Sequence, residues 1–241
     1  MVIKVELSAQ QKIVYKGIQD NNMLMADPNN KNSKATSLKN AIMQLRKICN
    51  HPYLFEGHEP IGHEISDHIF SVSGKFELLD RMLPKLIITG HKVLIFSQFT
   101  QLLDIMKMYF YYRNIPHLIL DGRTKDEDRK KCLERFSHPN SEEKVFVLST
   151  KAGGHGLNLQ VADTVIIFDS DWNPQMDEQA KDRAHRIGQQ SEVRVYRLIT
   201  ATKVEEGILS KATYKKGLDD KIIQAGMFND NASDLDRQNK L

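Results

Sequence analysis

The sequence predicts an α/β fold: a parallel sheet flanked by helices, preceded by an N-terminal helical extension. Three observations carry this reading. Short runs that are apolar at nearly every position recur at 93–97, 118–120, 145–148 and 165–168, and such runs fit strands covered on both faces. Segments with helical spacing lie between them, and this alternation implies a parallel sheet with right-handed crossovers. Polar and glycine-bearing segments follow directly on the strand ends, which is where ligands bind in such sheets.

Taken in order, Leu7, Ile13, Val14 and Ile18 give 7–20 a helical apolar stripe, and Leu38, Ile42, Leu45 and Ile48 do the same for 34–49. Between them, 21–33 is polar and Asn-rich and reads as a mobile loop. Cys49-Asn50-His51-Pro52 stops the second helix, and a loop runs to about residue 70. From Ser73, the residues Phe76, Leu79, Met82, Leu83 and Leu86 predict an amphipathic helix ending at Thr89-Gly90. Val93–Ser97 is a strand, Leu102–Arg113 a helix, and Leu118–Leu120 a strand ending at Asp121-Gly122. Thr124 is placed to cap a charged helix over 125–136, with Glu127 at the capping-box position. Val145–Leu148 and Val165–Phe168 are strands. Asn173-Pro174 opens a helix, because a proline in the first turn lacks only an N–H that has no helical partner anyway. Met176 to Ala180 favour that helix, and Gly188 is placed to end it. Val193–Ile199 is a further strand, 203–223 a helix rich in Lys and Glu, and 229–241 a polar tail that frays.

The 241 residues suffice for one large domain, or one domain with an extension. A hydrophobic content of 40% supports a core, and a net charge of +3 permits a nucleic-acid partner without arguing for one. Cys49 and Cys132 match no disulfide or CxxC pattern, which points to a reducing compartment. Cys49, His51, His58, His63 and His68 have no structural-zinc spacing and read as solvated loop histidines beside a lone thiol. No apolar run reaches membrane-spanning length, and the N-terminus has no signal-peptide pattern. Met1 followed directly by Val-Ile-Lys-Val-Glu-Leu reads as a cut from a longer chain.

The chemistry centres on Gln179–Gln189. On a helix begun at Pro174, Arg183 and Arg186 stand three apart and share a face. Two planar, permanently charged guanidiniums aimed one way suit a polyphosphate, and in phosphoryl transfer such arginines stabilise the transferring group. A bare R-x-x-R is more often a solvated basic face, so the neighbourhood decides. After the strands come Gln98-Phe99-Thr100, Asp121-Gly122-Arg123-Thr124-Lys125, Ser149–Leu159 and Asp169–Pro174. Neither a P-loop nor an acidic magnesium box is present, so this chain supplies only part of any ATP site.

Ser149–Leu159, Asp169–Pro174 and Gln179–Gln189 resemble, in order and spacing, motifs of the second, C-terminal RecA-like lobe of Swi/Snf-type chromatin-remodelling ATPases, within helicase superfamily two. Val93–Thr100 and Leu120–Arg129 fit the same series. Asp171-Trp172-Asn173-Pro174 and His185–Gln189 are highly specific to that family. Ser73–Asp80 and Ile222–Phe228 look like its Swi/Snf–Brahma subgroup, and Val5–Ser8 and Leu45–Tyr53 resemble the helical lead-in to the lobe. The resemblance covers nearly the whole chain.

It implies a P-loop NTPase-like lobe without the P-loop, divided into a helical extension with flexible loops at 1–72, the lobe at 73–202, and a brace helix with a polar tail at 203–241. It implies ATP with Mg2+ held between this lobe and an N-terminal RecA-like lobe of the same full-length chain. Arg183 and Arg186 would reach across as catalytic arginines, with Gly154, Gly156 and Gln189 at the nucleotide. Gln98, Thr100, Arg123, Lys125, Thr150, Lys151, Trp172 and Asn173 would contact double-stranded DNA, mostly through phosphate. The implied setting is the nucleus, with the nucleosome and subunits of a remodelling complex as partners and no membrane.

Lys151 stands where the family usually has Arg, keeping the charge but losing the planar fork. His155 replaces a usual Leu, either as packing or as a pH-sensitive group. Lys107-Met108 occupies positions that are often acidic in the family, so no histone-tail site is assigned. A core role for Trp172 and a solvated turn for Arg123 and Lys125 are the plain alternatives. Two rival functions remain: a degenerate module that binds DNA or a partner without turnover, and a DNA-repair translocase lobe of the same superfamily.

Overall fold

The computed structural model describes residues 1–24, 31–55, 66–153, 157–185, 189 and 192–224, with side chains left out at 21–24, 31–40, 153 and 216–224. In chain order the elements are β1 (Val2–Val5), α1 (Ala9–Leu24), α2 (Lys31–Asn50), a 3-10 turn (Pro52–Leu54), α3 (His68–Ser71), α4 (Gly74–Ile88), β2 (Val93–Ser97), α5 (Thr100–Tyr112), β3 (His117–Leu120), α6 (Asp126–Ser137), β4 (Val145–Ser149), α7 (Thr150–Gly153), β5 (Thr164–Ile167), α8 (Pro174–Asp182), β6 (Arg194–Thr200) and α9 (Lys203–Gln224).

The strands form one parallel sheet in the order β1-β6-β5-β2-β4-β3. Side chains alternate across a strand, and this sorts the core into two layers. Val93 and Ile95 of β2, Val145 and Val147 of β4 and Ile166 of β5 pack with Phe76, Leu79, Leu83, Leu102, Met106 and Phe110 of α4 and α5. Leu94, Phe96, Phe146, Leu148, Val165 and Ile167 pack on the other face with Phe136 of α6 and with Ala180 and Ala184. Burial on both faces explains why β2, β4 and β5 read as continuous apolar runs. The register sets Ser97 beside Ser149 and Phe96 beside Ile167, so the exits of these three strands lie side by side.

Four local expectations are corrected. β1 was not foreseen: its four residues alternate between exposed and half-buried, and it gains its partners only by pairing with β6, Val2 opposite Arg197 and Val5 opposite Thr200. The polar stretch 21–33 is partly helical, since α1 runs to Leu24 and α2 starts at Lys31; residues 25–30 lie outside the described residues. Thr124 does not cap α6. Its hydroxyl oxygen accepts the Asp121 N–H at 3.2 Å, closing the turn before the helix, and Lys125 is the cap position without a side-chain bond. α8 ends at Asp182, short of Gly188, for reasons given below.

His51 is also not a solvated histidine. It is fully buried, with Nε2 2.7 Å from the Ile69 carbonyl and Nδ1 accepting the Tyr53 N–H at 3.1 Å. His68 accompanies the Tyr53 hydroxyl at 2.8 Å. His58 and His63 lie outside the described residues. No helix among the described residues is long and apolar enough to cross a membrane.

Candidate functional site

The exits of β2 and β5 are tied together from below by buried polar groups. Asp169, 2% exposed, accepts the Gln98 backbone N–H at 3.1 Å from each carboxylate oxygen. Burial pushes the Asp169 carboxyl up to about 7, while bonds from Ser97 and Gln98 and the charges of Lys75 and Arg46 pull the other way. The Gln98 side chain donates to the Asp169 carbonyl at 3.3 Å and accepts from Arg46 Nη2 at 3.3 Å. The same Arg46 nitrogen donates to the Ser170 carbonyl at 3.1 Å. Lys75, fully buried at the start of α4, donates to Asn50 Oδ1 at 2.9 Å, the Phe168 carbonyl at 2.9 Å and Glu205 Oε1 at 2.7 Å. Glu205 in turn accepts the Thr200 hydroxyl at 2.9 Å at the end of β6. A buried charge is tolerated only when it is paired and fully hydrogen-bonded, and Lys75 has three acceptors for its three protons.

Sequence reasoning missed Arg46, Lys75 and Glu205 as parts of this edge. The available signal was phase. Lys75 sits beside Phe76 on the inward side of α4, but a lone Lys there reads by default as a long side chain reaching out to water.

The DNA-contact candidates separate into those presented to solvent and those engaged beneath. Thr100, Lys125, Lys151 and Asn173 are exposed. Thr150 is buried at 7% exposure, and the Gln98 amide is engaged at both ends as described. Arg123 projects from the turn after β3, where its Nε and Nη2 each lie 2.7 Å from Asp121 Oδ2, and Nη2 lies 3.5 Å from Asp104 Oδ1. Burial alone would raise the Asp121 carboxyl, but the bonds and charge of Arg123, with help from Thr124, hold it below the usual carboxylate range. Asn173 caps α8, its side chain accepting the Gln175 N–H at 3.2 Å. Trp172 is half-buried rather than a core residue, and the Lys211 ammonium of α9 lies 5.2 Å from its ring centroid. Asp177 steadies this loop by accepting the Asp171 N–H at 3.3 Å. Burial raises the Asp177 carboxyl to about 6, opposed by Arg197, whose Nη2 is 3.2 Å away.

The arginine segment differs from expectation. α8 stops at Asp182 and Arg183 is its cap residue, half-buried at the helix end. The cause is tertiary. The Arg183 carbonyl accepts the Leu159 N–H at 3.2 Å, and the Ala184 carbonyl accepts the Gln189 side-chain amide at 3.2 Å. Carbonyls that a longer helix would use internally are satisfied from outside. The same Gln189 amide nitrogen lies 2.8 Å from the Gln160 carbonyl and 2.9 Å from the Ala162 carbonyl. Gln189 therefore staples the segment after α8 to the loop before β5. Arg186, Gly154, His155 and Gly156 lie outside the described residues. Among the described residues no group of His, Cys, Asp or Glu side chains is placed to hold a metal ion.

The chain matches the helicase conserved C-terminal domain over residues 74–188. It is 53% identical, across all of its length, to Transcription regulatory protein SNF2 of Saccharomyces cerevisiae, of which it spans 14%. It is 51% identical, over 98% of its length, to Chromatin structure-remodeling complex subunit snf21 of Schizosaccharomyces pombe, of which it spans 20%. Among solved structures, the C-terminal part of the Fun30 ATPase domain superposes with a TM-score of 0.74 at 33% identity, covering 88% of this chain and 87% of that one. The Sulfolobus solfataricus SWI2/SNF2 ATPase core domain gives a TM-score of 0.74 at 28% identity, covering 92% of this chain and 44% of that one. With these likenesses, the six-stranded parallel sheet and the motif segments at its strand exits, the chain belongs to the helicase conserved C-terminal domain family, in its Swi/Snf-type branch, and folds as the RecA-like lobe of that family.

Proposed function

We propose that this chain is the second motor lobe of a nuclear, DNA-dependent ATPase that translocates on duplex DNA and so remodels nucleosomes. The observation that supports it most is identity of about half, across the whole chain, to proteins named as remodelling-complex subunits and transcription regulators. In this reading the chain divides into a helical extension at 1–72, whose first strand β1 joins the lobe's sheet beside β6, the lobe at 73–202 and a brace at 203–241.

ATP with Mg2+ would lie between this lobe and an N-terminal RecA-like lobe of the full-length chain. The donor set here fits the phosphate end of such a ligand and not its metal: Arg183 and Arg186 are permanent cations suited to phosphate oxygens. They would stabilise charge on the transferring phosphoryl group, a role worth roughly 10^3 to 10^5 in turnover. Gly154 and Gly156 would let the backbone approach the nucleotide. Gln189 would act beside it, its side chain fixed by the Gln160, Ala162 and Ala184 carbonyls.

At the strand exits, Thr100, Lys125, Lys151 and Asn173, with Arg123 released from Asp121, would bind DNA phosphates. Trp172 would lie against the duplex. Gln98 and Thr150 would support that surface from beneath. Phosphate contacts give affinity without sequence choice, as a translocase requires.

The test uses the two-lobe protein. ATP turnover is measured with and without duplex DNA, and movement of a histone octamer along DNA is followed in parallel. The proposal expects turnover that depends on duplex DNA and movement that depends on ATP. DNA binding without turnover would instead identify a binding module, and DNA-stimulated turnover without octamer movement would identify a repair-type translocase.

A further inference from the structure

Arg46 belongs to neither strand exit, yet it touches both. It stands on α2, 5% exposed. Its Nη2 bridges Gln98 Oε1 after β2 and the Ser170 carbonyl after β5, at 3.3 and 3.1 Å. Its guanidinium carbon lies 5.4 Å from the Phe99 ring centroid. One planar group thus fixes the amide of Gln98, the ring of Phe99 and the backbone at Ser170. A lysine has the charge but not the flat fork needed to lie near a ring and still donate sideways.

α2 has anchors besides this bridge. Ile48 and Cys49 are fully buried, the Asn50 carbonyl accepts the Ser73 hydroxyl at 2.7 Å, and Gln11 donates to the Ile48 carbonyl at 2.6 Å. Thr100 lies two residues beyond Gln98, and Trp172 two beyond Ser170. Both carry the proposed DNA surface.

We propose that Arg46 is a positioning residue that holds the exits of β2 and β5 as one rigid surface for duplex DNA, a proposal that rests on the motor-lobe reading. It acts through Gln98 and Ser170 and does not itself meet DNA. A surface ordered before binding avoids the cost of ordering its side chains on binding, so freeing either exit should weaken the response to DNA without touching the chemistry.

The experiment measures ATP turnover against duplex DNA concentration in the two-lobe protein, for wild type, Arg46→Lys, Arg46→Met, Gln98→Leu and the Arg46→Met/Gln98→Leu pair. Circular dichroism confirms folding. In the Arg46 variants the half-saturating DNA concentration should rise about tenfold, with maximal turnover held within about twofold. Gln98→Leu removes the Gln98 arm and leaves the bond to the Ser170 carbonyl, so it should give a smaller rise, and the pair should raise the value by less than the product of the two single effects. If Arg46→Met does not fold, Arg46→Lys, which keeps the charge, decides the question. A lowered melting temperature with unchanged half-saturation overturns the proposal, as do effects of Arg46→Met and Gln98→Leu that multiply. A wild-type protein with no response to DNA overturns the motor reading and this proposal together; a responsive wild type with unaltered Arg46 variants overturns this proposal alone.

Discussion

At Gly74 the chain leaves no room for a side chain: a Cβ there would stand 2.0 Å from the Glu6 carbonyl oxygen. That oxygen belongs to backbone just after β1, so relief would require the strand to move. Gly74→Ala should lower stability by about 1–3 kcal/mol, read as a shift in denaturant midpoint, and should loosen β1 first in hydrogen exchange. His51 makes a prediction in pH. Because Tyr53 N–H donates to Nδ1, the proton sits on Nε2 and the ring is neutral. Burial lowers its pKa from 6.5 to about 4, with the bond to the Ile69 carbonyl acting the other way. A base with a depressed folded value is protonated first in the unfolded chain. The stability that His51 contributes is therefore complete above about pH 6.5 and is lost as pH falls through about 4. Wild-type melting temperature should fall across that window, and His51→Gln should fall less steeply. Neither residue was legible in these roles, because one depends on a neighbour 68 positions away in the sequence (Gly74 less Glu6) and the other on burial.

Among the elements, β2, β4 and β5 were legible because every position on them is buried, so an unbroken apolar run is all they need to show. β1 was not, because an edge strand of four residues has little pattern of its own and exists through pairing with β6. The start of α8 was legible in Asn173-Pro174, a local signal. Its end was not, because the Leu159 N–H, 24 positions earlier in the chain (Arg183 less Leu159), donates to the Arg183 carbonyl, and the Gln189 side chain donates to the Ala184 carbonyl while also bonding to Gln160 and Ala162. The loops of the candidate site showed in the sequence as polar segments after strands, whereas the buried ties beneath them did not. Lys75 and Glu205 join α4, α9, β5 and β6 through those ties. Lys75→Met should cost about 3–5 kcal/mol, since it strands a buried carboxylate. Adding Glu205→Gln, which keeps an acceptor for Thr200, should recover part of that loss. Equal stability of the single and double variants in urea melts would show that the pair is not coupled.

At the scale of the molecule, the described residues form one six-stranded sheet, and in the proposed reading its strand exits carry the DNA surface and half of a nucleotide site. In that reading Arg183, at the end of α8, and Arg186 would supply the cationic contribution, and Gln189 bonds to the loop before β5. Such an arrangement would make turnover depend on how the two lobes meet, and would let DNA at the strand exits bias that meeting. The most direct measurement is ATP turnover at saturating duplex DNA in the two-lobe protein, for wild type, Arg183→Ala and Arg186→Ala, with DNA affinity measured alongside. The account predicts that each variant loses at least about 100-fold in turnover while binding DNA within about threefold of wild type. Turnover unchanged in both variants would contradict it.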